Sequence, residues 1–189
     1  MKIKSISTLI ILLVSPLLIV QSMYAQGTDK PKEHEYVGAS TCGMCHKSEK
    51  QGKQFVIWQN SKHAQAYKTL QTEKADEIAK KAGYKTKAAE TEACLKCHTS
   101  GYNVDASLIG KRFKIEDGVQ CETCHGPGGD YKSLKIMKNK KEAIANGLME
   151  HTDLKAFCTT CHNPDSPTYV ARDLDKMWAQ IKHPIPGKK

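Results

Sequence analysis

The sequence predicts a mainly α fold with minimal β structure. Segments 48–58, 61–70, 72–82, 138–149 and 171–182 have helix-like composition and spacing, whereas Arg112-Phe113-Lys114-Ile115 is the one convincing short strand. The apolar content is also low. The residue types AVILMFWYC make up 39% of 189 residues, and outside the N-terminal segment the share falls to about 35%, too little for a conventional protein core. Something other than side chains is expected to fill the interior.

The chain opens with Lys2 and Lys4, then an apolar run from Ile6 to Val20 interrupted by Pro16, then Ala25. This reads as a cleavable secretory signal over 1–25, since a membrane span needs about 20 apolar residues. A polar stretch, 26–35, follows as a flexible leader, and 36–189 forms one domain. Gly83, Gly101, Gly110 and Gly126-Pro127-Gly128-Gly129 punctuate its loops. Repetition is confined to short cysteine units, which excludes a solenoid.

All eight cysteines fall into four such units: Cys42-Gly43-Met44-Cys45-His46, Cys94-Leu95-Lys96-Cys97-His98, Cys121-Glu122-Thr123-Cys124-His125 and Cys158-Thr159-Thr160-Cys161-His162. A disulfide framework or paired zinc sites would explain the cysteines, but neither requires a histidine after every second one. With eight histidines in the chain, four such coincidences have a chance of roughly three in a million, and the unit is read as a covalent haem-attachment motif. In a helical turn, positions i, i+3 and i+4 share a face. Two thiols therefore reach the vinyl edge of a porphyrin while the adjacent imidazole reaches the iron. Four c-type haems are expected, with His46, His98, His125 and His162 as proximal ligands. They also supply the missing interior.

Four histidines lie outside the motifs. His63, in a helix-like stretch after the first motif, His183, at the end of 171–182, and His151, seven residues before the fourth motif, are candidate distal ligands. His34 sits in the polar leader and is expected to be mobile. Met44, Met137, Met149 and Met177, and likewise Trp58 and Trp178, are read as packing residues.

The chain carries a formal charge of +9, and +7 once the two leader lysines are removed. Eight haem propionates would largely offset that excess, so a nucleic-acid partner is excluded.

From Tyr36-Val37-Gly38 to about His183 the chain resembles the cytochrome c-554 family, tetrahaem c-type cytochromes that accept electrons from hydroxylamine oxidoreductase in ammonia oxidisers. The resemblance is carried by Trp58 with Ser61-Lys62-His63-Ala64, by Cys97-His98-Thr99-Ser100-Gly101-Tyr102, and by Gly118-Val119-Gln120 leading into the third motif and Gly126-Pro127-Gly128. It implies a small helical fold wrapped round four closely packed haems, three of them bis-His and the second five-coordinate. It also implies that His63 serves the fourth haem and His183 the third. The family's distal ligand to the first haem follows the Gly-Pro-Gly turn, where Gly128-Gly129-Asp130-Tyr131-Lys132 has no histidine. His151 is the candidate substitute.

Three function classes stay open. The first is a periplasmic electron carrier working between donor and acceptor redox proteins, with peripheral association to a membrane quinol oxidase or oxidoreductase complex. The second is a haem enzyme acting on a small nitrogen species such as nitric oxide or hydroxylamine, although Glu90, Glu92 and Tyr102 near the second motif make no legible acid–base pair. The third is a filament-forming cytochrome in which His34 ligates a haem of the neighbouring subunit.

Overall fold

With few large apolar side chains available, the chain buries small ones. In the computed structural model, which describes residues 32–185, the buried apolar residues include Val37, Ala39, Ala64, Leu70, Ala79, Ala88, Tyr131 and Ala143, and five of these eight are alanine. Leu70, Ala79 and Ala88 form a cluster against which Ala75, Ala89, Cys94 and Leu95 pack. The expected signal segment and leader residues 26–31 lie outside the described residues. The described residues from Glu33 to Ile185 form one compact unit.

The described chain is mainly helical, as its composition predicts. The helices are short: α1 (Ala39–His46), α2 (Gln54–Gln59), α3 (Ala66–Leu70), α4 (Glu73–Lys81), α5 (Glu92–His98), α6 (Cys121–His125), α7 (Leu134–Met137), α8 (Lys140–Ala145), α9 (Leu154–Thr159) and α10 (Leu174–Ile181). Several starts are chemically explicit. Thr72, Asn139, Asp153 and Asp173 each accept a hydrogen bond from a first-turn backbone N–H of α4, α8, α9 and α10 respectively. α4 also carries Glu73 and Asp76 in its first turn and Lys80 and Lys81 in its last, complementing the helix dipole.

The expected helix over 48–58 is interrupted. Gly52 and Lys53 take φ of 93° and 53°, which separates a 3-10 turn at Glu49–Gln51 from α2. The strand expected at 112–115 does not form. The described residues hold a single isolated bridge, Tyr36 with Ile109, and 112–115 has no partner strand. Phe113 packs edge-on against Tyr36 instead, with ring centroids 6.0 Å apart.

The largest fully buried side chains are polar: Gln120 and Glu122. Glu122 Oε1 accepts from the N–H groups of Val37 (2.8 Å) and Gly128 (2.7 Å), and Oε2 accepts from that of Gly38 (2.8 Å). Gln120 Oε1 takes the first amide of α1, that of Ala39, at 2.7 Å, while its Nε2 donates to the carbonyl of Lys114 at 2.8 Å. Its backbone N–H donates to Ser100 Oγ at 2.8 Å. The lead-in to the third motif thus holds the start of the first motif helix and the segment after the second.

An unpaired buried donor costs about 1–3 kcal/mol. Glu122→Ala strands three of them, and the haem-loaded variant is expected to lose about 3–5 kcal/mol in denaturant unfolding. Glu122→Gln, which keeps two acceptor bonds, should lose less than half of that. Equal stability of Glu122→Ala and wild type would show that the carboxylate does not pin the helices.

Candidate haem sites

The motifs lie on helices, as the reach of two thiols and an imidazole to one macrocycle requires. α1, α5 and α6 each end on the motif histidine. The fourth motif begins on α9 and finishes in the following turn, where the N–H of His162 still bonds back to the carbonyl of Cys158 at 2.9 Å. All eight cysteines are free thiols.

The folding brings the motifs together in a definite order. The first motif meets the third at the start of α1, where the N–H of Ala39 donates to Gln120 Oε1 and those of Val37 and Gly38 donate to Glu122. The second motif meets the fourth through one turn: His98 Nδ1 donates to the carbonyl of Ala66 at 2.9 Å, and His63, three residues before Ala66, faces His162. Burial first, then the thiols of Cys158, Cys121 and Cys161, push Cys124 up to about 11, and His151 ties the third motif to the fourth, its Nε2 donating to the carbonyl of Cys124 while its ring packs on Phe157 of α9. The spatial order is first, third, fourth, second. Burial, followed by Cys161, pushes Cys97 up to about 11. Cys97 and Cys124 are thus held protonated rather than poised as thiolates.

Two non-motif histidines face motif histidines. His63 lies opposite His162 with ring centroids 6.1 Å apart, and His183 lies opposite His125 at 5.7 Å. An iron with an imidazole nitrogen at about 2 Å on each side sets ring centres roughly 6 Å apart, so both pairs match the span of a six-coordinate iron. Nδ1 of His183 is buried with no hydrogen-bond partner among the described residues, an orphaned donor-acceptor atom of the kind a metal would satisfy. The residues therefore fit haem.

Each of the two is held by the scaffold. The carbonyl of His63 accepts from Val119 N–H at 3.0 Å, and Trp58 Nε1 donates to the carbonyl of Val119 at 2.7 Å. The residue after His183 is clamped by Gln54, whose Nε2 donates to the carbonyl of Pro184 at 3.0 Å. Burial, then the neighbouring imidazoles of His183, His151 and His46, lowers His125 to about 4. Burial is also the main cause of the lowered values at His63 and His162, with His162 second for the former and Arg172 for the latter. All three are neutral near pH 7, the form that binds iron.

The other candidates have different neighbours. His98 Nδ1 donates to the carbonyl of Ala66 at 2.9 Å and contacts Thr69 Oγ1 at 3.2 Å, an outer-shell bond typical of a metal-binding imidazole. No imidazole faces it among the described residues. His151 donates from Nε2 to the carbonyl of Cys124 at 2.6 Å and packs on Phe157 with ring centroids 3.9 Å apart. Glu90, Glu92 and Tyr102 line one groove beside α5 with Lys96. His34, expected in a mobile leader, is packed: its Nδ1 lies 2.8 Å from Asp130 Oδ2 and its side chain is 14% exposed. Gln120, Glu122 and Asp130 escaped the sequence reading, because a polar residue inside or beside a motif is by default solvated.

A helical chain with four attachment motifs linked one to the next, and with paired imidazoles at the span of an iron, defines a multihaem c-type cytochrome. Residues 41–126, which include the first three motifs, match the family described as cytochrome c554 and c-prime. Cytochrome c-554 of Nitrosomonas europaea is 28% identical over 165 residues, covering 80% of this chain and 66% of that protein; the chain thus spans just under two thirds of its relative's length. The structure of reduced cytochrome c554 from the same organism superimposes with a TM-score of 0.52 at 23% identity, over 77% of this chain and 82% of that one. Over residues 41–126 the chain is similar to the cytochrome c554 and c-prime family, and its four attachment motifs fit four c-type haems.

Each facing pair makes a separable prediction. Replacing His63 or His183 by Ala should convert one haem from low to high spin in the ferric paramagnetic-resonance spectrum, and the double variant should convert two. Unchanged spin counts would remove these residues from the ligand set.

Proposed function

We propose that this chain is a periplasmic electron-transfer protein whose four haems relay electrons between a donor and an acceptor protein. The observation that carries the reading is that the motifs are linked one to the next in the order first, third, fourth, second, which leaves no haem without a neighbour. In this reading Cys42, Cys45, Cys94, Cys97, Cys121, Cys124, Cys158 and Cys161 hold the macrocycles. His46, His98, His125 and His162 are proximal ligands, and His63 and His183 are distal ones. His151 serves the backbone carbonyl of Cys124 instead.

When bound, haem supplies one-electron chemistry. The chain's own residues set its terms. Where two imidazoles face each other, as His63 with His162 and His125 with His183, paired imidazole ligation favours a lower potential than a thioether would. The carbonyl of Ala66 fixes the tautomer of His98 so that Nε2 carries the lone pair. The cluster of Leu70, Ala79 and Ala88 packs against Cys94 and Leu95 of α5. Export is supported by the chemistry of the leader, 1–25, and by attachment motifs of a kind completed outside the cytoplasm.

One observation favours a second reading. His98 faces no second imidazole among the described residues, which leaves its haem open to a small ligand such as nitric oxide. The relay reading predicts a mature periplasmic protein, starting near Gln26, that takes up four electrons per chain and passes them to a protein acceptor. It also predicts no sustained turnover of nitric oxide or hydroxylamine with reductant alone. Turnover at about 10 s⁻¹ without a partner protein, a typical enzyme rate, would make it an enzyme.

A further inference from the structure

We propose that His34 supplies the distal imidazole to the haem carried by the first motif of its own chain. The inference rests on the haem reading above and goes beyond it, because the two facing pairs leave His46 and His98 without a second imidazole.

The ring of His34 is prepared as ligating histidines are. Its Nδ1 bonds to the carboxylate of Asp130 at 2.8 Å, and a carboxylate on the outer nitrogen fixes ring orientation and raises the basicity of the other. Nε2 makes no hydrogen bond among the described residues. The ring lies directly over Gly147, where a Cβ would come within 2.8 Å of its Cδ2 and 3.1 Å of its Nε2. Gly147, at φ 103°, both permits the turn and leaves room for the imidazole.

The place of His34 selects the haem. Its backbone neighbours are tied one after another: Gly129 N–H donates to the carbonyl of Glu35 at 2.9 Å, Tyr36 N–H to the carbonyl of Leu108 at 2.8 Å, and the N–H groups of Val37 and Gly38 to Glu122. α1 follows at once and ends on His46. The contacts of His34 belong to the half of the molecule in which the first and third motifs meet, since Gly147 itself abuts Gly126 at the end of the third motif. There His125 already faces His183, and His46 is the motif histidine that remains. His151 is tied instead to Cys124 and Phe157.

The test uses the haem-loaded full chain, with intact mass reporting four haems in every variant. His34→Ala should add one high-spin ferric haem and raise carbon monoxide uptake by the reduced protein from one to two per chain, while His151→Ala changes neither. In the reduced wild type, nuclear Overhauser contacts should link the His34 ring to the thioether protons at Cys42 and Cys45. Asp130→Asn should keep the spin count and raise one reduction potential. Should His34→Ala fail to accumulate, His34→Met decides: one haem with Met/His ligation and a raised potential supports the proposal, and a spectrum identical to wild type overturns it. An unchanged spin count in His34→Ala, or a new high-spin haem in His151→Ala instead, also overturns it. Fewer than four haems in the wild type would overturn the haem reading beneath it.

Discussion

The buried carboxylate of Glu122 and the carboxamide of Gln120 hold this fold in register. Neither side chain has an apolar alternative, because the backbone around them presents N–H groups that would otherwise be buried without acceptors: those of Val37, Gly38, Ala39 and Gly128. The buried apolar residues are mostly alanines, too small to set the direction of a helix. Directional hydrogen bonds do that instead, and they join the first motif, the third and the loop after the second through one five-residue stretch, 118–122. Glu122 is raised above its usual carboxylate value by burial, with the three backbone donors pulling it back down, and those three donors favour its acceptor form.

From that register the cofactor geometry follows. The bonds from Val37, Gly38 and Ala39 to Glu122 and Gln120, the bridge of His151 between Cys124 and Phe157, and the turn that holds both His63 and Ala66 set which attachment motifs lie side by side. The facing imidazoles of His63 with His162 and His125 with His183 come from helix ends and turns, positions where backbone carbonyls and Gln54 fix them. Burial holds His63, His125 and His162 below the usual imidazole value, which disfavours protons and favours metal.

Much of this was legible in the sequence. The attachment motifs could be read because their chemistry imposes a spacing that chance does not produce, and the mainly helical fold because 72–82 and 171–182 carry caps and periodicity that α4 and α10 display. Where the reading missed, a local rule yielded to a tertiary contact. The stretch 48–58 has helical composition, yet Gly52 and Lys53 turn the chain to bring α2 back over α1. Arg112 to Ile115 has strand composition, but a strand needs a neighbour, and Phe113 found the ring of Tyr36 instead. His34 stands in a polar stretch that reads as mobile. Its packing depends on Asp130 and Gly147, respectively 96 and 113 positions away, and no periodicity records such a contact.

The central claim is that the four haems form one continuous line set by the order of the motifs. Iron positions located by anomalous scattering from crystals of the haem-loaded protein test it directly. The account predicts nearest neighbours of first with third, third with fourth, and fourth with second. An iron on His46 lying next to the iron on His98, or any iron isolated from the other three, would contradict it.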